Sequence, residues 1–317
     1  MNLRIGSRGS QLALWQAHHI AALLRSRGHS VQIEIIKTTG DRLQEVTFAQ
    51  VGSKGMFTKE IEEALADGRV DLAVHSLKDL PTELPEPFTL AATPPRVDPR
   101  DAFVSVNYES LASLPPGAKV GTSSQRRRAQ LKALRPDIEA IEFRGNVETR
   151  LRKLAEGQVD AILLAAAGLD RLEKTEWVRE RLEPNHFCPA AGQGSLGIET
   201  RKGDAATIAA VAFLDDPLTR FAVTVERAAL AALGGGCQVP IGVFCRPTPA
   251  GKQGHHEVDW VEIFAVVAAP ETGTAVRVFD NATRIGSDPV ALGQLTAQKL
   301  LDAGAGPLLA AVSIAEN

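Results

Sequence analysis

A single thiol carried on three glycines, and a lysine beside an aspartate at the end of an apolar run, are the residues of this chain whose types and spacing could do chemistry. The thiol is Cys237, in LGGGCQVPIG. Gly234, Gly235 and Gly236 strip its surroundings of side chains and permit backbone angles other residues avoid, so something bulky could be attached there. The same glycines also fit a helix C-cap, because residues 218–233 read as a helix. The acid and base are Lys78 and Asp79, in VDLAVHSLKDLP. They follow the strand VDLAV, which sets them at a strand's C-terminal end, where α/β sheets bind ligands. A solvated turn ahead of Pro81 is the plain alternative. His75 is expected to make a structural hydrogen bond.

Basic and hydroxyl residues recur at the predicted starts of helices: Arg8 and Ser10, then Lys54 and Lys59. Thr122, Ser123 and Ser124 with Arg126, Arg127 and Arg128 form a third group, and Arg144, Asn146 and Arg150 a fourth. Free N–H groups at a helix start favour an anion, and an arginine fork pairs with carboxylate or phosphate. Each cluster alone reads as a surface feature; repeated, they would line a cleft with anion sites. The run 126–128 could pass for a nucleic-acid patch, but no aromatics interleave it and aromatics total 5%. A polyanionic small molecule is the expected ligand.

Composition removes several function classes. A net charge of −3 gives no global attraction to nucleic acid or to an anionic membrane. The 3 cysteines, Cys188, Cys237 and Cys245, are odd in number and lack CxxC spacing, which points to a reducing compartment. Gln16, His18 and His19 interrupt any apolar N-terminal stretch, so the chain is expected to be cytoplasmic. Residues 192–197 match GxGxxG, yet they precede the strand LGIET instead of opening a helix, so no dinucleotide site is expected. No Walker A lysine and no metal-ligand spacing occur; His18, His19, His255 and His256 are adjacent pairs without partners, and no metal is expected.

Strand-like and helical runs alternate: LRIGS, a helix over 11–27, VQIEIIKT, a helix over 57–66, VDLAVHS. The rhythm restarts after the Pro-rich stretch 93–99 with KVGTS, a helix over 124–134, IEAIEF, a helix over 147–155 and VDAILLA. DGRVD at 67–71 and EGQVD at 156–160 occupy matching places. The pattern predicts an α/β fold of two similar periplasmic-binding-protein-like domains around a cleft, plus a small C-terminal α+β domain. The first domain takes residues 1–95 and, crossing back, 196–213; the second takes 99–192; the third takes 217–317, with a last helix over 289–303. The polar loop 247–256 is expected to be mobile.

At this point the chain resembles the porphobilinogen deaminase (hydroxymethylbilane synthase) family. IGSRGSQLAL, GSKGMFTKE, VDLAVHSLKDLP, VGTSSQRRRAQL, RGNVETRL, AAAGLDRL, PAAGQGSLGIE and GGGCQVPIG stand in the family's order across nearly the whole chain. The resemblance implies a transferase that joins four porphobilinogen molecules with loss of ammonia, giving the linear tetrapyrrole hydroxymethylbilane. It implies a dipyrromethane cofactor held as a thioether on Cys237, with Asp79 catalytic. By the same match Ser76, Lys78, Thr122, Ser123, Ser124, Arg126, Arg127, Arg144 and Gly145 bind the cofactor. Arg8, Ser10, Arg150, Arg171, Gln193, Lys54 and Lys59 bind substrate, the last two lysines in a segment the family treats as a lid. A monomer is the family's expectation. Glu148 departs from the family's more common Asn and puts a carboxylate near an anion site; Ala191 and Ser195 are expected to be silent, and Cys188 and Cys245 have no family role.

Two rivals belong to other classes. A two-domain solute-binding protein needs neither Cys237 nor Asp79 and is expected to carry an export signal. A cysteine hydrolase wants a histidine base, and the histidines after the cysteine loop are the pair at 255–256.

Overall fold

The computed structural model describes residues 1–42, 58–235, 239–248, 251–253 and 256–315. The chain opens with β1 (Asn2–Ser7), α1 (Gln11–Ser26), β2 (Ser30–Ile35), the short α2 (Thr39–Arg42), α3 (Lys59–Ala66), β3 (Leu72–Ser76) and β4 (Phe88–Ala92). It continues through β5 (Asp101–Val104), β6 (Lys119–Gly121), α4 (Gln125–Leu134), β7 (Glu139–Ile141), α5 (Val147–Ala155), β8 (Ala161–Ala165), α6 (Ala166–Arg171) and β9 (Val178–Leu182). Then follow β10 (Leu196–Arg201), α7 (Ala205–Val211), α8 (Pro217–Ala232), β11 (Ile241–Pro247), β12 (Gly251–Gln253) and β13 (His256–Val258). The chain closes with β14 (Trp260–Ala268), β15 (Ala275–Thr283), α9 (Pro289–Leu300) and α10 (Gly306–Ala315).

Helical spacing explains α1: Gln16, Ala17, Ile20, Ala21 and Leu24 form one buried stripe, and Ser10 Oγ caps the helix by accepting from Ala13 N at 3.3 Å. The stripe packs on β1 and β3 through Leu3, Ile5, Leu72 and Val74. In the second sheet successive residues serve opposite cores. Phe103 and Leu163 face one cluster with Leu131 of α4, while Val104 and Ile162 face another with Leu151 of α5. Burial on both faces is why β8 reads as the uninterrupted run AILLA.

The two sheets share one plan. The first has the order β2-β1-β3-β10-β4 and the second β7-β6-β8-β5-β9. In each, a parallel trio is extended by an antiparallel strand: β10 against β3 and β4, β5 against β8 and β9. Both of those antiparallel strands begin where the chain has just crossed between sheets, after residues 93–100 and 183–195. The crossings therefore run beside the C-terminal end of β3.

A three-stranded antiparallel sheet, β11-β14-β15, forms the third unit under α8 and α9. Asp216 accepts from Thr219 N at 2.7 Å and Pro217 opens α8, a favourable helix start. The helices cross closely at Gly293, where a Cβ would sit 2.3 Å from Val225 O. The architecture is α/β with two similar sheets and a small C-terminal sheet domain.

The last helix departs from the sequence reading. The chain passes through a π-turn at Leu301–Ala305, with Gly304 at φ 97°, and resumes as α10. Gly304 kinks the helix instead of ending it, because Leu308 and Leu309 pack back onto the third core. Among the described residues no helix is long and apolar enough to cross a membrane.

Candidate active site

Strand β3 delivers the acid–base pair. Its last residue, Ser76, accepts from Gln16 Nε2 at 2.8 Å, and a single 3-10 turn, Leu77–Asp79, follows. Buried Leu77 and Leu80 anchor that turn, and Leu77 N donates to Ser195 O at 3.0 Å on the second crossing. Asp79 is left exposed, while Lys78 is partly buried. Below the turn, His75 Nε2 lies 2.9 Å from Glu199 Oε2, both side chains buried.

Lys78 Nζ donates to Gln193 Oε1 at 3.3 Å. Burial, then the charges of Arg127 and Arg126, pull its ammonium down to about 8 against the opposing pull of Asp79 and Asp101. Lys78 of the first sheet thus sits within electrostatic reach of α4 in the second.

On α4, Arg126 and Arg127 are buried and share one carboxylate. Arg126 Nη1 lies 2.7 Å from Asp101 Oδ2, and Arg127 donates to Asp101 Oδ1 from Nε at 2.9 Å and from Nη2 at 2.7 Å. Arg126 Nη1 also donates to Cys188 O at 2.6 Å, and Arg127 Nη1 to Leu163 O at 3.0 Å. Burial pushes the Asp101 carboxyl up, but the two guanidiniums and the Gln193 amide outweigh it and hold it well below the usual carboxylate range. The hydroxyls ahead of α4 shape the turn: Thr122 Oγ1 accepts from Ser124 N at 3.2 Å, Ser123 Oγ donates to Phe143 O at 2.8 Å, and Ser124 Oγ caps Arg127 N at 3.4 Å.

The start of α5 adds two more cations. Arg150 Nε donates to Gly145 O at 2.8 Å, and Arg144 Nε to Glu142 Oε1 at 2.7 Å. Burial, then the charge of Arg127, draws Arg150 down to about 10; Arg144 adds to the effect and Glu142 opposes it. Asn146 Oδ1 caps Thr149 N at 2.9 Å, and Glu148 lies in the favourable first turn with its Oε1 buried and unpartnered among the described residues.

The remaining sequence candidates are placed separately. Arg8 is half-buried just after β1, and Ser10 caps α1. Arg171 is buried at the end of α6, donates to Gly194 O at 2.9 Å, faces the Trp15 ring of α1 at 5.9 Å and is pulled down to about 10 by burial. Lys59 is exposed on α3, 4.0 Å from Glu63. Lys54 and Cys237 lie outside the described residues. Cys188 and Cys245 are buried free thiols; burial pushes Cys188 up to about 12 and Cys245 higher still, so neither is a nucleophile. A cavity of about 550 Å³ opens between the first crossing and the third domain, lined by Arg96, Thr219, Phe244 and Cys245, and none of the sequence candidates lines it.

Asp101 and Glu142 were not singled out from the sequence. A charged residue opening the apolar run DAFV is the signal that could have marked Asp101. The geometry that emerges is a group of cations from both halves, Lys78, Arg127, Arg144 and Arg150, beside an exposed carboxylate. Burial, and then the charge of neighbouring guanidiniums, lowers the proton affinities of Lys78, Arg127 and Arg150, and carboxylates are the natural complement of such a group of cations.

A family model described as "Porphobilinogen deaminase, dipyromethane cofactor binding domain" matches residues 3–209, and a second, "Porphobilinogen deaminase, C-terminal domain", matches residues 220–302. The porphobilinogen deaminase of Roseiflexus castenholzii is 50% identical over 98% of this chain and 99% of its own length. That of Chromobacterium violaceum is 47% identical over 97% of each chain. Among solved structures, a periplasmic substrate-binding protein of an ABC transporter from Coxiella burnetii aligns at 14% identity with a TM-score of 0.43, covering 69% of this chain and 94% of that one.

Proposed function

The chain belongs to the porphobilinogen deaminase family, transferases with a dipyrromethane cofactor, and from that membership we propose that it joins four porphobilinogen molecules head to tail, releasing ammonia each time, to give hydroxymethylbilane. The product grows from a dipyrromethane attached to Cys237. The observation that carries this reading is that Lys78, beside exposed Asp79, feels the charge of Arg127 across the two halves, while Arg150 feels those of Arg127 and Arg144. Three domains, 1–95 with 196–213, 99–192 and 217–317, and a cytoplasmic monomer that meets neither nucleic acid nor membrane, belong to the same proposal.

The cofactor fits the donor set, since its acetate and propionate arms need cations and the cleft has more cations than internal carboxylates. Lys78, Arg127, Arg144 and the N–H groups ahead of α4 would hold it, and it would supply the free ring carbon to which the first unit is joined, each later unit joining the ring added before it. Arg150, with Arg8 and Arg171, binds the carboxylates of arriving porphobilinogen. Asp79 sets a fixed carboxylate where positive charge develops on a pyrrole nitrogen as the C–N bond to ammonia breaks. The same carboxylate takes and returns the protons of each cycle. Lys78 must be protonated to hold a carboxylate, so binding weakens as pH rises through about 8.

The test is the intact mass of the denatured protein with peptide mapping around Cys237. A mass excess of two linked pyrrole units on that peptide, absent from Cys237→Ala, is the expected result. An unmodified wild-type peptide that stays unmodified after incubation with porphobilinogen would overturn the proposal.

A further inference from the structure

Two separate segments, α4 and the second crossing, converge on Asp101, the first residue of β5. Its carboxylate takes Arg126 through Nη1 at 2.7 Å and Nη2 at 3.2 Å, Arg127 through Nε and Nη2, and Gln193 Nε2 at 3.0 Å. Gln193 is itself fully buried on the second crossing, and its other amide atom accepts from Lys78 at 3.3 Å. The same Gln193 Nε2 donates to Pro99 O at 2.7 Å, which ties the two crossings together. A continuous chain of bonds therefore runs from Lys78 through Gln193 and Asp101 to Arg127, from the end of the first sheet to the second.

Two features make this more than a structural ion pair. Asp101 is one negative charge against two buried guanidiniums, so the cluster keeps a net positive charge for an incoming carboxylate while the arginines are held apart from each other. The link to Lys78 passes through an amide that accepts only from one side and donates only from the other, so it fixes the direction of both groups. We propose that Asp101 is a positioning residue, which through Gln193 sets the spacing and charge of Lys78 and Arg127 so that consecutive carboxylates of one pyrrole chain meet cations of both halves. This rests on the proposed deaminase reading for the identity of the ligand, but not for the bond network itself.

The groups facing Lys78 are Asp79, Asp101, Arg126, Arg127 and the Gln193 amide. Removing the Asp101 charge leaves the arginines unopposed and lowers the proton affinity of Lys78, so the amine becomes neutral at lower pH. The experiment titrates Lys78 in full-length Cys237→Ala protein by the pH dependence of amine acylation, read by peptide mass mapping. Asp101→Asn is expected to move the Lys78 profile toward acid by about one pH unit. Gln193→Met keeps both arginine pairs and is expected to move it in the same direction; it decides the matter alone if Asp101→Asn does not fold. An unchanged Lys78 profile in the folded variants would overturn the proposal, because a merely structural bond leaves that profile in place.

A second arm follows covalent pyrrole uptake from porphobilinogen by mass, with Cys237 intact. Gln193→Met is expected to slow uptake about tenfold, the loss of one hydrogen bond to a charged group. Uptake at the wild-type rate by Gln193→Met counts against Asp101 and Gln193. Failure of the wild-type protein to take up any pyrrole overturns the deaminase reading instead, while the Lys78 titration still stands.

Discussion

Asp79 and Asp101 are carboxylates that both act on Lys78 from opposite environments: the first is exposed at the end of the β3 turn, the second wholly buried under two guanidiniums. An exposed side chain contributes little to the fold, so the isosteric Asp79→Asn is expected to keep the melting temperature within about a degree or two. Its carboxylate is proposed to oppose developing positive charge, so kcat should fall by about 10²–10³-fold. Steady-state ammonia release beside thermal unfolding checks both halves; activity within about twofold of wild type would remove Asp79 from the chemistry. Lys78 and Asp79 were visible in the sequence because a polar pair directly after an apolar strand must lie at its end. Asp101 was not, since its partners come from residues 126, 127 and 193, and no local pattern announces a contact over such separations.

Elements carry the next layer, and the start of α5 shows how strictly. Gly145 sits at φ 125°, and a Cβ there would meet Thr149 Cγ2 at 2.7 Å, so neither the backbone nor the space suits another residue. Its carbonyl receives Arg150, and Asn146 next to it caps the helix. Gly145→Ala is expected to cost about 1–3 kcal/mol and to shift Arg150 with the helix start. Urea unfolding should show the loss of stability, and a raised KM with kcat less affected should show the displaced cation; unchanged values of both would contradict this account. Helices were legible here where apolar positions repeat over several turns, as in α1 and α5. The short strands β4, β5 and β9, of four or five residues beside Pro-rich crossings, carry too little period to be read.

For the molecule as a whole, the problem is to hold two sheets, two crossings and a C-terminal sheet domain in register. Glu226 of α8 does so from a fully buried position. It pairs with Arg96 of the first crossing at 2.5 Å and accepts from Gly192 N of the second at 2.7 Å and from Cys245 N of β11 at 2.8 Å. Arg96 in turn donates to Gln193 O at 2.8 Å, which connects this junction to the network under Lys78. Glu226 reads in the sequence as one more polar residue of an amphipathic helix, because its three partners come from three other segments. Glu226→Gln keeps the shape but leaves the largely buried Arg96 against a neutral amide, and breaking a buried pair in this way costs about 3–5 kcal/mol. Denaturant unfolding should register that loss, while the folded fraction retains cofactor, since Glu226 touches none of the residues proposed to bind it. A variant as stable as wild type would mean that the crossings are held by packing alone. Loss of cofactor from a protein that remains folded would mean that the junction also sets the spacing of the cleft, and that the Arg96 bond to Gln193 transmits it.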